Sequence, residues 1–248
     1  VEVLQTRLRH AVDPRLSSQL IGKRIAAIER VAKYILFSLD GDWVWLFHLG
    51  MSGKLIHVAP EIPRQKHDHI LVSLDNGKEL RYHDPRRFGL SLLVRKTELD
   101  KLPQLRALGK DPFEPGFTGK YLLGFTRRSE RRLRDLLLDQ RVLAGVGNIY
   151  ANEILFRAGV RPTLRSFRLT QKQADRVAAM TSEVLSEAIR WCGTSFSDYR
   201  DADDQFGEFQ NHLRVYDREG EPCRVCRGKI KRVSLGNRSA FYCRTCQK

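Results

Sequence analysis

Acidic residues are in short supply in this chain. It has 29 Asp and Glu against 44 Lys and Arg, a formal net charge of +15 over 248 residues. A globular protein this basic usually meets a polyanion. Long apolar runs are missing too. The most continuous, Trp43 to Leu49, is far shorter than a membrane-spanning helix requires. No signal-peptide pattern and no internal repeat is visible. Cysteine is sparse, five residues in all, a usage that fits a reducing cytoplasm. What remains is 42% apolar residues, enough for a substantial core in one large domain or two ordinary ones.

Four of the five cysteines fall in two C-x-x-C pairs, Cys223/Cys226 and Cys243/Cys246, with sixteen residues between the pairs. That spacing is the signature of a four-thiolate zinc site, each pair offering two sulfurs to one tetrahedral ion. Two structural disulfides are the other reading, and a weaker one, because paired C-x-x-C motifs favour a metal. Between the pairs, Lys229 to Tyr242 alternates as a two-stranded hairpin does. Gly236-Asn237 is its turn, and Arg238 stands just past the tip.

Residues 1 to about 97 read mainly as strands. The odd positions from Val31 to Leu39 are expected to share one strand face, which places Lys33 among Ile35, Phe37 and Leu39. A lysine there either snorkels out or serves as a reactive amine. Trp43 to Leu49 suits a strand covered on both faces, and it ends in Gly50-Met51-Ser52-Gly53. Lys66-His67-Asp68-His69 opens a further strand; the two histidines lack a nearby third ligand and read as surface residues. Asn76-Gly77 marks a hairpin turn, and the returning strand runs into Asp84-Pro85-Arg86-Arg87-Phe88-Gly89. Two arginines and an aromatic on a loop suit a solvated corner, and equally a wedge that enters a duplex.

Residues 98–124, rich in proline and glycine and without periodicity, read as a linker. Beyond them Leu133, Leu136 and Leu137 share a helix face among Arg127, Arg128, Arg131, Arg132 and Arg134. Ala144-Gly145-Val146-Gly147 breaks that helix, and Asn148 is placed as the N-cap of the next. Thr170 and Gln173 form a capping box for a long helix whose apolar stripe runs from Ala174 to Ile189. From Gly193 to Phe209 the chain turns acidic, as expected of a mobile loop held away from a phosphate backbone.

Several stretches together resemble one family, the bacterial formamidopyrimidine-DNA glycosylases (Fpg, MutM) of the Fpg/endonuclease VIII superfamily. They are Ala32-Lys33-Tyr34, His48 to Gly53, Lys66 to His69, Asp84 to Gly89, Leu138-Asp139-Gln140, Gly145 to Ala151 and the cysteine finger through Gln247, in family order over nearly the whole chain. The resemblance implies an α+β, multidomain fold: an N-terminal β-sandwich, a helix–two-turn–helix domain and a C-terminal zinc-finger hairpin. The corresponding segments are 1–107 for the sandwich, 108–124 for a linker, 125–209 for the helical domain with a lesion-capping loop at 193–209, and 210–248 for the finger.

The same resemblance implies excision of oxidised purines such as 8-oxoguanine and formamidopyrimidines from duplex DNA, and β,δ-elimination at the abasic site. It makes Lys33 a catalytic-site lysine. Met51, Arg86 and Phe88 become the side chains that fill the space left by the extruded base. Asn148 and Arg238 become phosphate clamps, with Arg238 also linked to δ-elimination, while His67 and Arg134 are further DNA contacts. One structural Zn2+ is implied on Cys223, Cys226, Cys243 and Cys246. The implied partner is double-stranded DNA bearing oxidised bases or abasic sites, met by a monomer in the bacterial cytoplasm at the nucleoid.

One departure bears on chemistry. The family's nucleophile is the amine of an N-terminal proline followed by glutamate, suited to iminium formation at the sugar C1′. This sequence begins Val1-Glu2-Val3 in strand-like composition, and Glu2 is not that glutamate. The expectation is a fragment or displaced start, in preference to a catalytically dead protein. The polypeptide as written is expected to bind lesion-containing duplex without cleaving it, and to give no borohydride-trapped adduct. Two other readings are a non-catalytic zinc-dependent damaged-DNA-binding protein and an endonuclease VIII-like enzyme for oxidised pyrimidines. The combination of Met51, Arg86 and Phe88 disfavours the second.

Overall fold

The computed structural model of the chain describes residues 1–195, 202 and 204–248. They form two compact units, one made of residues 1–106 with 191–210 and the other of 107–190 with 211–248. The acidic stretch after Gly193 therefore belongs with the strands and not with the helices. Its residues Asp198, Asp201 and Asp203 lie outside the described residues.

The first unit is a sandwich of two antiparallel four-stranded sheets. One has the order β1 (Glu2–Val3), β6 (Asp68–Ser73), β7 (Glu79–His83), β5 (Lys54–Val58). The other runs β2 (Ile25–Val31), β3 (Tyr34–Leu39), β4 (Trp43–His48), β8 (Leu90–Arg95). The continuous apolar character of β4 has a direct cause. Trp45 and Phe47 face the inter-sheet core with Ile70 and Tyr82, whereas Val44 and Leu46 are covered from the other side by Leu99, Leu102 and Leu105. A short helix, α1 (Leu16–Leu20), seats Leu16 and Leu20 in the same inter-sheet core.

Lys33 is not on a strand face. Val31 pairs with Tyr34 across a two-residue turn of Ala32 and Lys33, and Ala32 takes a φ of 54°. The turn ends the alternation read from Val31, and Lys33 is exposed. Of the two histidines expected at the surface, His69 is buried at 5% exposure because it sits inside β6.

The helical unit follows a second short helix, α2 (Pro103–Arg106), and contains α3 (Gly119–Thr126), α4 (Leu133–Leu137), α5 (Asn148–Arg157) and α6 (Gln171–Arg190). Part of the stretch read as a linker is thus helical. Thr118 Oγ1 accepts from Tyr121 N at 3.2 Å, capping α3, and Leu122 and Leu123 are buried. Its glycines hide the helix in sequence, yet one of them is required. A Cβ on Gly119 would lie 2.1 Å from the Asp175 carboxylate, so the helix start approaches α6 closely. The capping box at α6 forms as expected, with Gln173 N donating to Thr170 Oγ1 and Thr170 N to Gln173 Oε1. Ile189 departs from the expected stripe and is 64% exposed. The finger is β9 (Ile230–Leu235) paired with β10 (Arg238–Cys243) around the Gly236-Asn237 turn.

Candidate nucleic-acid interface

In the sandwich unit, two loops carry the expected void-filling residues. Met51 stands on the Gly50–Gly53 turn at 67% exposure and Phe88 on the 85–88 loop at 47%, both open to solvent. The Arg86 guanidinium lies 4.8 Å from the Phe88 ring centroid, a cation–π stack that holds both side chains as one projection. The loops touch through backbone. A Cβ on Gly50 would meet the Phe88 carbonyl carbon at 2.7 Å, and one on Gly89 the Tyr82 hydroxyl at 1.7 Å. No other residue fits at either place.

Lys33 lies near enough to His48 to depress its protonation. The His48 imidazole is held below its ordinary range first by burial, then by the positive charges of Lys33 and Arg9. Its Nδ1 accepts from Gly50 N at 3.0 Å, which requires that nitrogen to be unprotonated and ties the Lys33 neighbourhood to the Met51 turn. His67 is half-buried, its ring about 6 Å from those of His69 and His83. On the same unit, Asp204 pairs with Lys54 at 2.9 Å, and His57 N donates to Ala202 O at 2.7 Å.

In the helical unit, Asn148 is the first residue of α5; the N-cap position belongs to Gly147. The Asn148 side chain is free of the capping role expected of it and is committed across the unit. Its Oδ1 accepts from Arg134 Nη1 at 3.0 Å, and its Nδ2 donates to Ser239 O on β10 at 3.2 Å. Arg134, expected at a DNA surface, is only 1% exposed. Its Nη2 donates to Leu235 O and pairs with Asp135, and its Nε has no partner among the described residues. Burial holds this guanidinium below its ordinary range, with Asp135 opposing the shift and the charges of Arg238 and Arg132 adding to it. Arg134 and Arg238 both line a shallow cleft of about 260 Å3, together with Arg131, Asn237 and the carboxylates Asp135 and Asp139, which pair with Arg134 and Arg131. With Arg131 and Arg134 paired to these carboxylates, Arg238 is the cleft guanidinium with no ion pair to a carboxylate among the described residues, and the one placed to meet an anion.

Sequence patterns gave no sign of the polar residues that hold this arrangement together. Asn152 and Glu153 on α5 are fully buried. Asn152 Oδ1 accepts from Phe241 N on β10 at 2.7 Å. The Glu153 carboxylate accepts three backbone N–H bonds, from Arg214, Val215 and Tyr216, each at 2.9 Å. Gln247, also fully buried, accepts from Cys243 N and donates to Val160 O. The one available signal was negative: two adjacent polar residues inside an otherwise apolar helix face between Ala151 and Phe156.

The four cysteines of the finger converge as their spacing predicts. All four sulfurs lie within 4.8 Å of one another, with Cys226–Cys243 at 3.4 Å and Cys223–Cys246 at 3.9 Å. A tetrahedral ion with bonds of about 2.3 Å separates its sulfur ligands by about 3.8 Å, so the thiolate set fits structural Zn2+.

A sandwich, a helix pair broken at glycines and a four-cysteine hairpin bonded to α5 define a zinc-finger protein of the helix–two-turn–helix class. Family models sharpen this. The formamidopyrimidine-DNA glycosylase N-terminal domain matches residues 1–91, its H2TH domain residues 108–200, and the zinc finger found in FPG and IleRS residues 220–248. The formamidopyrimidine-DNA glycosylase of Hahella chejuensis is 42% identical over 248 residues, covering 100% of this chain and 91% of that protein. Among solved structures, the Lactococcus lactis Fpg in complex with abasic-site DNA superposes with a TM-score of 0.91 at 29% identity, covering 100% of this chain and 90% of the other. The MutM (Fpg) protein of Thermus thermophilus gives 0.85 at 37% identity, covering 94% and 86%. The chain belongs to the formamidopyrimidine-DNA glycosylase family.

Proposed function

We propose that this chain carries the lesion-recognition and DNA-gripping machinery of a DNA-repair glycosylase and AP lyase of the bacterial cytoplasm, one that acts at the nucleoid on oxidised purines in duplex DNA. The observation that carries this reading is the stacked Arg86–Phe88 pair exposed beside Met51. Extruding a base costs a few kcal/mol in lost stacking and pairing, and side chains that enter the vacated space offset part of it. Met51 and Phe88 supply apolar surface to the neighbouring bases. The Arg86 guanidinium, bidentate in geometry, suits the acceptors of an orphaned cytosine. Relatives of known structure hold abasic-site and Fapy-dG-containing DNA.

The helical unit supplies the grip on phosphates flanking the lesion. Arg238 donates from the hairpin tip, and Asn148 from the first turn of α5, where free backbone N–H groups also favour an anion. Arg134, buried, contributes through the Asn148 side chain that it holds. His67 adds a contact in the sandwich unit. The Lys33 ammonium, exposed and close to His48, serves the reaction as the catalytic-site amine. Cys223, Cys226, Cys243 and Cys246 would hold one Zn2+, which supplies folding energy to the hairpin and takes no part in chemistry.

Competition binding tests the substrate class. Duplexes carry 8-oxoguanine opposite cytosine, thymine glycol opposite adenine, or no lesion. The 8-oxoguanine duplex is expected to compete best; preference for the oxidised pyrimidine would favour the endonuclease VIII-like reading instead.

A further inference from the structure

Asp84 is fully buried and carries no part of the proposed DNA contacts, yet three separate segments are fastened to it. Its Oδ1 accepts from Ser52 Oγ at 2.6 Å, on the turn that carries Met51. Its Oδ2 accepts from Gly89 N at 2.8 Å and from the Tyr82 hydroxyl at 3.0 Å. The Asp84 N–H donates to His67 O at 3.0 Å, and its carbonyl accepts from His69 Nε2 at 2.8 Å and from Arg87 N at 3.2 Å. Ser52 Oγ closes the circuit by accepting from Arg86 N at 3.2 Å. The neighbours of one carboxylate thus carry all four candidate contact residues of this unit: Met51, His67, Arg86 and Phe88.

The energetics explain why a charge is kept there. An isolated buried carboxylate is strongly unfavourable, but one that accepts several well-aligned donors is stable in its ionised form and rigidifies whatever donates to it. Charge-assisted bonds of this length are among the strong ones. Two of the donors, Ser52 Oγ and Gly89 N, come from loops that are solvent-exposed at their tips, and the third, the Tyr82 hydroxyl, from β7. Burial and the adjacent Asp84 charge raise the Tyr82 phenol above its ordinary range, so it remains a donor. Arg87 takes a φ of 55° in the same loop, a backbone conformation that bonds to a fixed anchor hold in place.

We propose that Asp84, with Ser52 as its bridge, is a positioning residue. It sets the spacing of the Met51 turn against the Arg86–Phe88 loop before DNA is bound, so that the wedge enters the helix preformed. This rests on the void-filling role assigned above. Preorganisation of this kind shows in discrimination, because binding to undamaged duplex does not use the wedge and loses nothing to its disorder.

The test measures affinity for a duplex with a stable abasic-site analogue opposite cytosine, divided by affinity for the same duplex undamaged. Thermal unfolding is followed in parallel. The variants are Ser52→Ala, which removes the bridge and little volume, Asp84→Asn, and the wedge variants Met51→Ala and Phe88→Ala. Ser52→Ala is expected to fold, to keep undamaged-duplex affinity within about twofold, and to lose about tenfold of the abasic preference. Met51→Ala and Phe88→Ala should lose a similar factor. If both wedge variants keep the preference, the void-filling reading itself fails. If they lose it while folded Ser52→Ala retains it, the positioning role is overturned and the reading survives. An equal fall of both affinities in Ser52→Ala would likewise overturn the positioning role in favour of a merely structural bond. If Asp84→Asn does not fold, Ser52→Ala decides alone.

Discussion

Arginines 134 and 238 line one cleft, and their surroundings assign them different work. Arg238 is exposed at the hairpin tip, with room to meet a phosphate. Each phosphate neutralised releases counterions, so Arg238→Ala should weaken DNA binding and reduce the slope of log affinity against log salt by about one. Arg134→Met should act on the fold instead. It strips donors from Asn148 Oδ1 and Leu235 O, at about 1–3 kcal/mol for each acceptor left buried and unpaired. Thermal unfolding would show a lowered midpoint, and an unchanged one would contradict this structural role of Arg134. The imidazoles set a pH limit. His48 and His69 are both held below the ordinary range, chiefly by burial, so the fold binds the neutral form. The stability this contributes is fully present above the unfolded value of about 6.5 and is lost as pH falls through and below it. His48→Gln, which keeps an acceptor for Gly50 N, should lose less stability than the parent between pH 6.5 and the lower folded value. An identical acid limb in the two proteins would sink this assignment.

Helix α5 is the element on which the helical unit's share of the site depends. One face is apolar and buried, and the helix also bears Asn148, Asn152 and Glu153 within its first two turns. These reach Ser239, Phe241 and the 214–216 backbone, so the helix and the finger are set in register by side-chain-to-backbone bonds. Asn152→Ala leaves Phe241 N buried and unpaired, and should destabilise the unit by about 1–3 kcal/mol while the four cysteines still bind zinc. Chemical denaturation read beside zinc content separates the two effects. Removing zinc acts from the other end. The finger is small, and metal binding of about 10–16 kcal/mol dominates the folding of such units, so chelation should abolish lesion-duplex binding. Persistent binding after complete zinc loss would contradict the assignment of Arg238. Much at this scale was legible beforehand. The Gly236-Asn237 hairpin, the Thr170 cap, the β4 strand covered on both faces and the metal cluster each follow from a local pattern with one physical meaning. The misreadings share a cause as well. Lys33 looked like a strand residue because alternation continues across a two-residue turn, and α3 looked like linker because it carries two glycines, of which Gly119 serves a close helix contact. The buried anchors Asp84, Asn152 and Glu153 stayed invisible, since the partners that make their burial tolerable are mostly distant in sequence.

At the scale of the molecule, charge and chemistry are divided. The excess of 15 positive charges supplies attraction to any duplex. Attraction alone does not choose a lesion. That choice is assigned to a few exposed side chains on the sandwich loops and to a phosphate grip built on a metal-held hairpin. No described helix is long and apolar enough to cross a membrane. The whole assignment turns on preformed loops filling the void beside a lesion while Asn148 and Arg238 hold the flanking phosphates. A crystal structure of this chain bound to a duplex with an abasic-site analogue opposite cytosine puts that to the test. Met51 and Phe88 are expected within the base stack, Arg86 on the orphaned cytosine, Asn148 and Arg238 on phosphates beside the lesion, and the Ser52–Asp84 bond unchanged. A duplex bound with these side chains in solvent, or held through other residues, would contradict it.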